Sequence, residues 1–186
     1  ALEKGLHGDL SQDLVDSILE EAGKVADNII APLNSVGDKV GLTFANGVVK
    51  TPPGWAAAYQ SWCEGGWNGL AAPEAFGGQA LPLSVATAVN EMWQSANMAF
   101  SLAPLLTAGA IEALSAHGSD ELKSIYLEKL ISGAWTGTMN LTEPQAGSDL
   151  AALRAKAERA GDGSYRITGQ KIFITYGEHD MTDNII

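Results

Sequence analysis

Residues 139–150 combine residue types that could bind an anion. Pro144 fixes one backbone angle and Gly147 lacks a Cβ, so the chain can turn tightly there and expose its backbone N–H groups. These groups could bind a phosphate together with the Ser148 hydroxyl, and Thr142 offers a second hydroxyl just before the turn. Turns rich in Pro, Gly, Ser and Asp are also common between strands, so this stretch alone leaves an ordinary turn and an anion site both open.

Three stretches of the sequence match motifs of a known protein family. Residues 141–149 read LTEPQAGSD, which closely resembles the TEPxAGSD signature of acyl-CoA dehydrogenases, and residues 169–175 read GQKIFIT, which resembles a second motif of that family at the expected distance. A weaker third match, PEAFGG at residues 73–78, resembles the family's PExxGG loop between helices. The resemblance runs from about residue 10 to the end of the chain.

The sequence departs from most of the family directly after the second motif. Most members have Asn-Gly there, whereas residues 176–180 of this chain read YGEHD. This looks like the branch of larger acyl-CoA dehydrogenases that includes 3-methylthiopropanoyl-CoA dehydrogenases. The length of the acyl chain therefore stays open.

The resemblance implies an FAD-dependent oxidoreductase that removes two hydrogens across the Cα–Cβ bond of an acyl thioester. A carboxylate takes the α proton while the β hydride passes to flavin N5. In the family this base is a glutamate near the start of the C-terminal helical domain, which lies beyond residue 186, so we assign no catalytic residue. Glu143 sits beside Pro144 in a tight turn, where we expect its carboxylate to accept local backbone N–H bonds instead.

The resemblance also implies which residues contact the flavin. The first loop would lie against the ring and the pyrophosphate, with Ser148 also touching the acyl-CoA, while Phe173 packs on the isoalloxazine and Thr175 places its hydroxyl near N5. A hydrogen bond at N5 stabilises the reduced ring, and apolar walls keep water from the reacting carbons. The expected cofactor-binding residues are Met139, Leu141, Thr142, Gly147, Ser148, Phe173, Ile174 and Thr175.

The family resemblance further implies an acyl-CoA substrate, an electron-transfer flavoprotein as electron acceptor, and a homodimer or homotetramer for the longer protein. Three alternatives stay open: an acyl-CoA oxidase with the same loops, a flavoprotein relative with a DNA-binding C-terminal region, and a folding or interaction module only. We expect the 186-residue chain alone to bind FAD weakly or not at all.

Composition excludes several other classes of function. The formal net charge of −11, with only 11 Lys and Arg in 186 residues, argues against a nucleic acid partner. The three histidines, His7, His117 and His179, are too scattered for a metal site, and no GxGxxG or Walker-type run occurs.

Compartment is predicted from cysteine usage and hydropathy. Cys63 is the only cysteine, so no internal disulfide can form, and we interpret it as a packed thiol. We find no apolar run near the length needed to cross a bilayer and no signal-like pattern in residues 1–5. These features predict a cytoplasmic protein without a membrane partner.

The elements that must position these motifs begin with helices. Apolar spacing of three and four predicts a helix over residues 10–30 closed by Pro32, and Asn46-Gly47 predicts a small hairpin. Further helices are predicted over residues 55–64, 82–97 and 99–117, with an irregular glycine-rich loop at 65–79 and a last helix from the N-cap Ser119 to Gly133. Residues 1–133 therefore read as a helical bundle.

After Gly133 the apolar period changes from about 3.6 to 2. Strands are predicted over residues 135–141, 153–157, 165–167, 172–175 and 184–186, with a reversal at 161–163. The fold class is α+β, with a helical bundle over residues 1–133 and the start of an antiparallel β-barrel or sheet domain over residues 134–186. Because the chain stops in mid-strand, we interpret it as the front part of a longer protein.

Overall fold

The computed structural model describes residues 10–186, and the expectations for His7 and for a signal in residues 1–5 lie outside that range. Helices dominate the first two thirds of the described chain: α1 (Gln12–Val25), α2 (Ala31–Val40), α3 (Trp55–Glu64), α4 (Leu83–Ala96), α5 (Met98–His117) and α6 (Asp120–Ile131). Short strands alternate with turns after α6. A helical region followed by a few strands confirms the α+β class.

The first predicted helix does not end at Pro32. A π-helical segment, Ala26–Ile30, joins α1 directly to α2, and Pro32 lies in the first turn of α2. In the π segment the Ala31 N–H donates to the Ala26 carbonyl, five residues back. The wider turn accommodates the proline ring, and the first turn of a helix does not need the N–H that proline lacks. The predicted end at Pro32 is therefore wrong.

Side-chain caps begin three of the helices. Ser11 Oγ accepts from the Leu14 N–H at 3.2 Å, and Asn97 Oδ1 accepts from the Phe100 N–H at 3.1 Å. Ser119 Oγ accepts from the Leu122 N–H at 3.3 Å, which confirms the predicted cap of α6. Each bond satisfies a backbone donor that the first turn of a helix leaves unpaired.

An aromatic cluster fills the centre of the helical region. The rings of Trp62 and Trp93 have centroids 3.7 Å apart, and Phe100 packs edge-on to Trp62 at 5.9 Å. Trp93 is 1% exposed, and its Nε1 donates to the Ala22 carbonyl at 3.2 Å, which ties α4 to α1. A buried indole with its N–H satisfied contributes a large apolar area without a polar penalty. These aromatic side chains belong to the core of the helical region.

A second cluster joins α6 to α5 and to the start of the strand region. Leu127 and Leu130 are fully buried and pack with Ile111 of α5, and Trp135 covers the edge of this cluster. Lys129 Nζ lies 3.9 Å above the Trp135 ring, a cation–π contact. This cluster holds the first residues after α6 against the helices.

Helix α5 corrects one sequence expectation. By length and composition alone this 20-residue helix could cross a membrane, with a mean hydropathy of 1.4. The statement that no apolar run approaches that length is therefore wrong. One such helix is weak evidence of a membrane span, since core helices pass the same test, and α5 contacts α2, α4 and α6.

The glycine-rich loop is irregular and packed, as predicted. Backbone N–H groups of Gln79, Ala80 and Leu81 donate to the carbonyls of Gly69, Ala72 and Leu70, so the loop folds back on itself. A Cβ on Gly78 would overlap the Ala72 carbonyl. Only glycine allows this close approach of two backbone segments.

In the described residues 10–186 the strands form three two-stranded sheets. Strands β1 (Thr43–Ala45) and β2 (Val48–Lys50) pair antiparallel around Asn46 and Gly47, both with positive φ, as the hairpin prediction requires. The later strands are β3 (Trp135–Thr136), β4 (Lys156–Arg159), β5 (Tyr165–Thr168) and β6 (Asn184–Ile185). Strands β4 and β5 pair antiparallel, whereas β3 and β6 pair in parallel.

Three strand predictions are wrong, and the strand expected over residues 153–157 begins only at Lys156. The strand expected over residues 135–141 comprises two residues only, because the chain then turns toward the signature loop. Residues 172–175 are not a strand, since Phe173 has φ +54° and Tyr176 has φ +52°. Left-handed residues cannot continue an extended ladder. The antiparallel expectation holds for β4 and β5 but not for β3 and β6.

Candidate functional site

The structure brings the two sequence motifs side by side. Thr138 Oγ1 donates to the Thr175 carbonyl at 2.7 Å, and the Ile172 N–H donates to the Thr142 carbonyl at 2.9 Å. Lys171 Nζ donates to the Leu141 carbonyl at 2.9 Å. Three hydrogen bonds therefore fix residues 138–142 against residues 171–175, although about thirty residues of chain separate the two motifs.

Glu143 holds this arrangement from inside. Its side chain is 3% exposed, and Lys171 Nζ lies 2.8 Å from Oε1. The carboxylate also accepts the backbone N–H groups of Arg154 and Ala155, at 2.7 and 2.9 Å, together with the amide of Gln145. A buried carboxylate needs such partners to remain charged. The expectation that Glu143 binds backbone N–H groups is confirmed.

These partners change the acidity of Glu143. The Lys171 ammonium, together with the Arg154 N–H, lowers the pKa of the Glu143 carboxyl to about 2, against a smaller opposing effect of burial. The side chain is thus ionised throughout the neutral and mildly acidic range. Glu143 is a structural anion rather than a proton acceptor for chemistry.

The tip of the first motif is a tight turn. Glu143 and Ala146 exchange both backbone hydrogen bonds, at 2.9 and 3.0 Å, so the turn reverses the chain. Gly147 and Ser148 follow it and are exposed, and a Cβ on Gly147 would meet nothing within 4 Å. Asp149 Oδ1 then accepts the Ala151 N–H at 3.1 Å, which caps a short 3₁₀ turn. The backbone around Gly147 is open to a ligand.

The predicted flavin-contacting side chains lie in different environments. Phe173 is 88% exposed and Met139 is 61% exposed, which is unusual for large apolar residues. Leu141, Thr142 and Ile174 are half-buried, and Thr175 is exposed. The structure therefore groups Met139, Leu141, Thr142 and residues 173–175 along the paired motifs, while Gly147 and Ser148 stand beyond the turn.

A groove of about 680 Å³ opens beside the second motif. It separates the end of α2 and the β1–β2 hairpin from residues 174–179, and its apolar lining includes Leu42, Pro52, Trp55, Leu102, Ile174 and Tyr176. Volumes of this size hold small-molecule ligands in proteins. Thr175 also lines the groove, so the second motif meets a cavity that a ligand could enter.

Sequence reasoning missed how residues 176–180 are held. The buried His179 has its Nε2 2.9 Å from Thr136 Oγ1, and its Nδ1 accepts the Met181 N–H at 3.2 Å. Nδ1 is therefore the acceptor and Nε2 the donor, and burial lowers the pKa of the His179 imidazole. Asp180 Oδ1 accepts from both the N–H and the hydroxyl of Thr51. In the sequence, only the departure of residues 176–180 from the family pattern indicated that this segment is unusual.

The structure also shows the environment of Cys63 and of the possible metal ligands. Burial raises the pKa of the half-buried Cys63 thiol, as expected for a packed rather than a reactive cysteine. Within residues 10–186, no group of three or more His, Cys, Asp or Glu lies in a position to hold a metal ion.

Comparison with known proteins decides the family. The profile described as the acyl-CoA dehydrogenase N-terminal domain matches residues 16–134, more than half of the chain. The chain belongs to the acyl-CoA dehydrogenase family. A curated relative, 3-methylmercaptopropionyl-CoA dehydrogenase of Ruegeria pomeroyi, is 49% identical over 180 residues, which are 97% of this chain and 31% of that protein.

Solved structures show the same fold. An acyl-CoA dehydrogenase of Bacillus anthracis complexed with FAD gives a TM-score of 0.73 at 22% identity, over 90% of this chain and 27% of that one. A structure described as the electron transferring flavoprotein of Acidaminococcus fermentans gives 0.75 at 26% identity, over 92% of this chain and 42% of that one. This acyl-CoA dehydrogenase chain thus spans less than half the length of each of these three proteins.

Proposed function

We propose that the chain is the N-terminal part of an FAD-dependent acyl-CoA dehydrogenase. In this proposal residues 1–133 form its N-terminal helical domain and residues 134–186 begin its middle β-domain. The end of α6 at Ile131, the start of β3 at Trp135 and the family match to residues 16–134 support this boundary. The reaction is the α,β-dehydrogenation of an acyl-CoA thioester.

The observation that carries the proposal is the pairing of the two motifs. Hydrogen bonds from Thr138 to Thr175 and from Ile172 to Thr142 bring together segments that the family resemblance assigns to one cofactor. When bound, the flavin supplies a hydride acceptor at N5. The exposed apolar side chains of Met139 and Phe173 fit a planar aromatic ring, and the open backbone at Gly147 fits a phosphate.

Each residue then has a role of its own. With the flavin bound, the Thr142 and Thr175 hydroxyls would donate to the ring, while Leu141 and Ile174 would exclude water beside it. Gly147 and Ser148 would bind the pyrophosphate, and the Ser148 hydroxyl would also contact the acyl-CoA. Ionised Glu143 holds the loop in place through Lys171 and takes no proton from substrate. A carboxylate beyond residue 186 removes the α proton.

The relatives support a proposal for the substrate and the electron acceptor. The 49% identical relative is named for 3-methylmercaptopropionyl-CoA, and we propose a short acyl-CoA of this kind. An electron-transfer flavoprotein is the proposed acceptor, as the family resemblance implies. We propose a homodimer or homotetramer in the cytoplasm, as the family resemblance implies.

A Thr175→Ala variant of the full-length protein tests the proposal. Rapid mixing with 3-methylthiopropanoyl-CoA, butanoyl-CoA and octanoyl-CoA should reduce the wild-type flavin. The variant should reduce it on the order of 10-fold more slowly, with a smaller change in acyl-CoA affinity. Thr168→Ala, in exposed β5, is the matched control. An unchanged reduction rate in Thr175→Ala would contradict the assigned role.

The 186-residue chain gives a second test. It should retain little flavin through gel filtration and should reduce no dye with any acyl-CoA, because it lacks the proposed base and a positioned base contributes about 10²- to 10⁴-fold. Turnover by this chain would show that the chemistry lies within residues 1–186.

A further inference from the structure

The Tyr176 hydroxyl makes two hydrogen bonds, and the proposed function gives this residue no role. Its hydroxyl donates to the Ala99 carbonyl at 2.7 Å and accepts from Trp55 Nε1 at 3.1 Å. Burial raises the pKa of the Tyr176 phenol, so the group stays protonated and able to donate. One side chain therefore links the second motif to α3 and to the first turn of α5.

The backbone at Tyr176 adopts a conformation that costs free energy. Its φ is +52°, a left-handed value that is rare for a bulky aromatic residue. Such a conformation persists only where surrounding contacts determine it, and it is common next to functional sites. At Tyr176 the surrounding contacts are the two hydrogen bonds of its hydroxyl, the turn bond from the Gly177 N–H to the Ile174 carbonyl, and the packing of its ring on His179.

Thr175 is therefore held on both sides. Thr138 Oγ1 binds its carbonyl at 2.7 Å, and the next residue is fixed by Trp55 and Ala99. Further along, Asp180 accepts from Thr51 Oγ1 at 2.7 Å. Residues 174–179 line one side of the groove, and these anchors place them opposite α2 and the hairpin.

We propose that Tyr176 is a positioning residue for Thr175. Its hydroxyl bridge to Trp55 and Ala99 sets where the Thr175 side chain stands at the groove. The inference rests on the proposed function, in which the Thr175 hydroxyl faces the flavin. Small displacements of a group that must meet a reacting atom lower the rate steeply, whereas binding through distant groups is retained.

The first measurement does not depend on activity. Hydrogen exchange followed by mass spectrometry, on full-length wild type and Tyr176→Phe, should show exchange in residues 174–181 rising about 10-fold in the variant. The Gly177 N–H, bonded to the Ile174 carbonyl at 3.2 Å, reports on this segment directly. Tyr165→Phe, at an exposed tyrosine of β5, is the matched control and should exchange like wild type. Unchanged exchange in Tyr176→Phe would overturn the proposal whatever the activity.

The second measurement separates positioning from stability. Flavin reduction per bound flavin should fall about 10-fold in Tyr176→Phe while the Kd for acyl-CoA changes less than about 2-fold. Trp55→Phe, which removes one of the two bonds, should show a smaller fall. A loss of thermal stability or flavin content with an unchanged rate per flavin would overturn the positioning role. Failure of wild type to reduce its flavin with any acyl-CoA would instead overturn the proposed function, and the positioning role with it.

Discussion

The chain from α1 to α6 and the chain after it bury their aromatic residues to different extents. Trp93, in the helices, is 1% exposed and packs on other indoles, whereas Phe173, in the second motif, is 88% exposed. The helices are held by apolar packing, and the later chain by hydrogen bonds such as those of Glu143. A region held by polar bonds can leave its apolar side chains outside, available to a ligand.

Removing an aromatic residue from the helical core should have the largest effect. Trp93→Ala leaves a cavity beside Trp62 and removes the bond to the Ala22 carbonyl, which should lower the free energy of unfolding by about 3–5 kcal/mol. Urea unfolding of the full-length protein measures it. Ile167→Thr, on exposed β5, should change that energy by less than about 0.5 kcal/mol.

Equal effects of these two variants would show that apolar packing does not distinguish the two regions.

A substitution at Gly133, where the two regions meet, should have an intermediate effect on the free energy of unfolding. Gly133 has φ +78°, and a Cβ there would overlap Cys63 Sγ and Asn68 Nδ2. Gly133→Ala should therefore cost about 1–3 kcal/mol in unfolding free energy, measured in urea. Gly161 has open space around it, so Gly161→Ala should be close to neutral. A Gly133→Ala protein as stable as wild type would contradict the crowding at this junction.

The smallest effect should come from removing the charge of Glu143, and it should be confined to the surroundings of the first motif, residues 141–149. Glu143→Gln removes the charge that pairs with Lys171, so amide exchange at Arg154 and Ala155 should rise on the order of 10-fold. Glu158→Gln, in exposed β4, is the matched control and should leave these amides unchanged.

The same carboxylate predicts a pH dependence. The pKa of Glu143 in the folded protein, about 2, lies below its ordinary value of 4.5, so its stabilisation is complete above pH 4.5 and is lost as the pH falls from 4.5 toward 2. Amide exchange at Ala155, corrected for its intrinsic pH dependence, should rise over this interval in wild type. The Glu143→Gln protein should lack this rise in exchange. The same pH profile of Ala155 exchange in both proteins would show that Glu143 does not cause the pH dependence.

The sequence predicted best what depends on neighbouring residues. The Ser119 cap and the Asn46-Gly47 hairpin are set by residues within a few positions, and both are present. The bond from Trp55 to Tyr176 joins residues 121 apart, so no local pattern indicates it. The same holds for Lys171 and Glu143, 28 residues apart. The motifs indicated which segments matter, but their contacts required the fold.

Strand extent failed for a related reason. The β-branched and aromatic residues Ile-Phe-Ile-Thr of 172–175 favour a strand, but Phe173 is left-handed and interrupts it. The residue type of Phe173 gives no indication of that conformation. The parallel pairing of β3 with β6 likewise depends on how distant segments meet.

The π segment Ala26–Ile30 has a consequence for how insertions and deletions would act on the molecule. A π turn holds an extra residue, and each residue of a helix turns its side chain by about 100°. Helix α1 contacts α4, whereas α2 contacts α5. Deleting one residue from this segment would convert the π turn to an ordinary α turn, so α1 and α2 would still present nearly the same faces to α4 and α5. Deleting one residue inside α2 would instead rotate the side chains that follow by about 100° and turn the wrong ones toward α5.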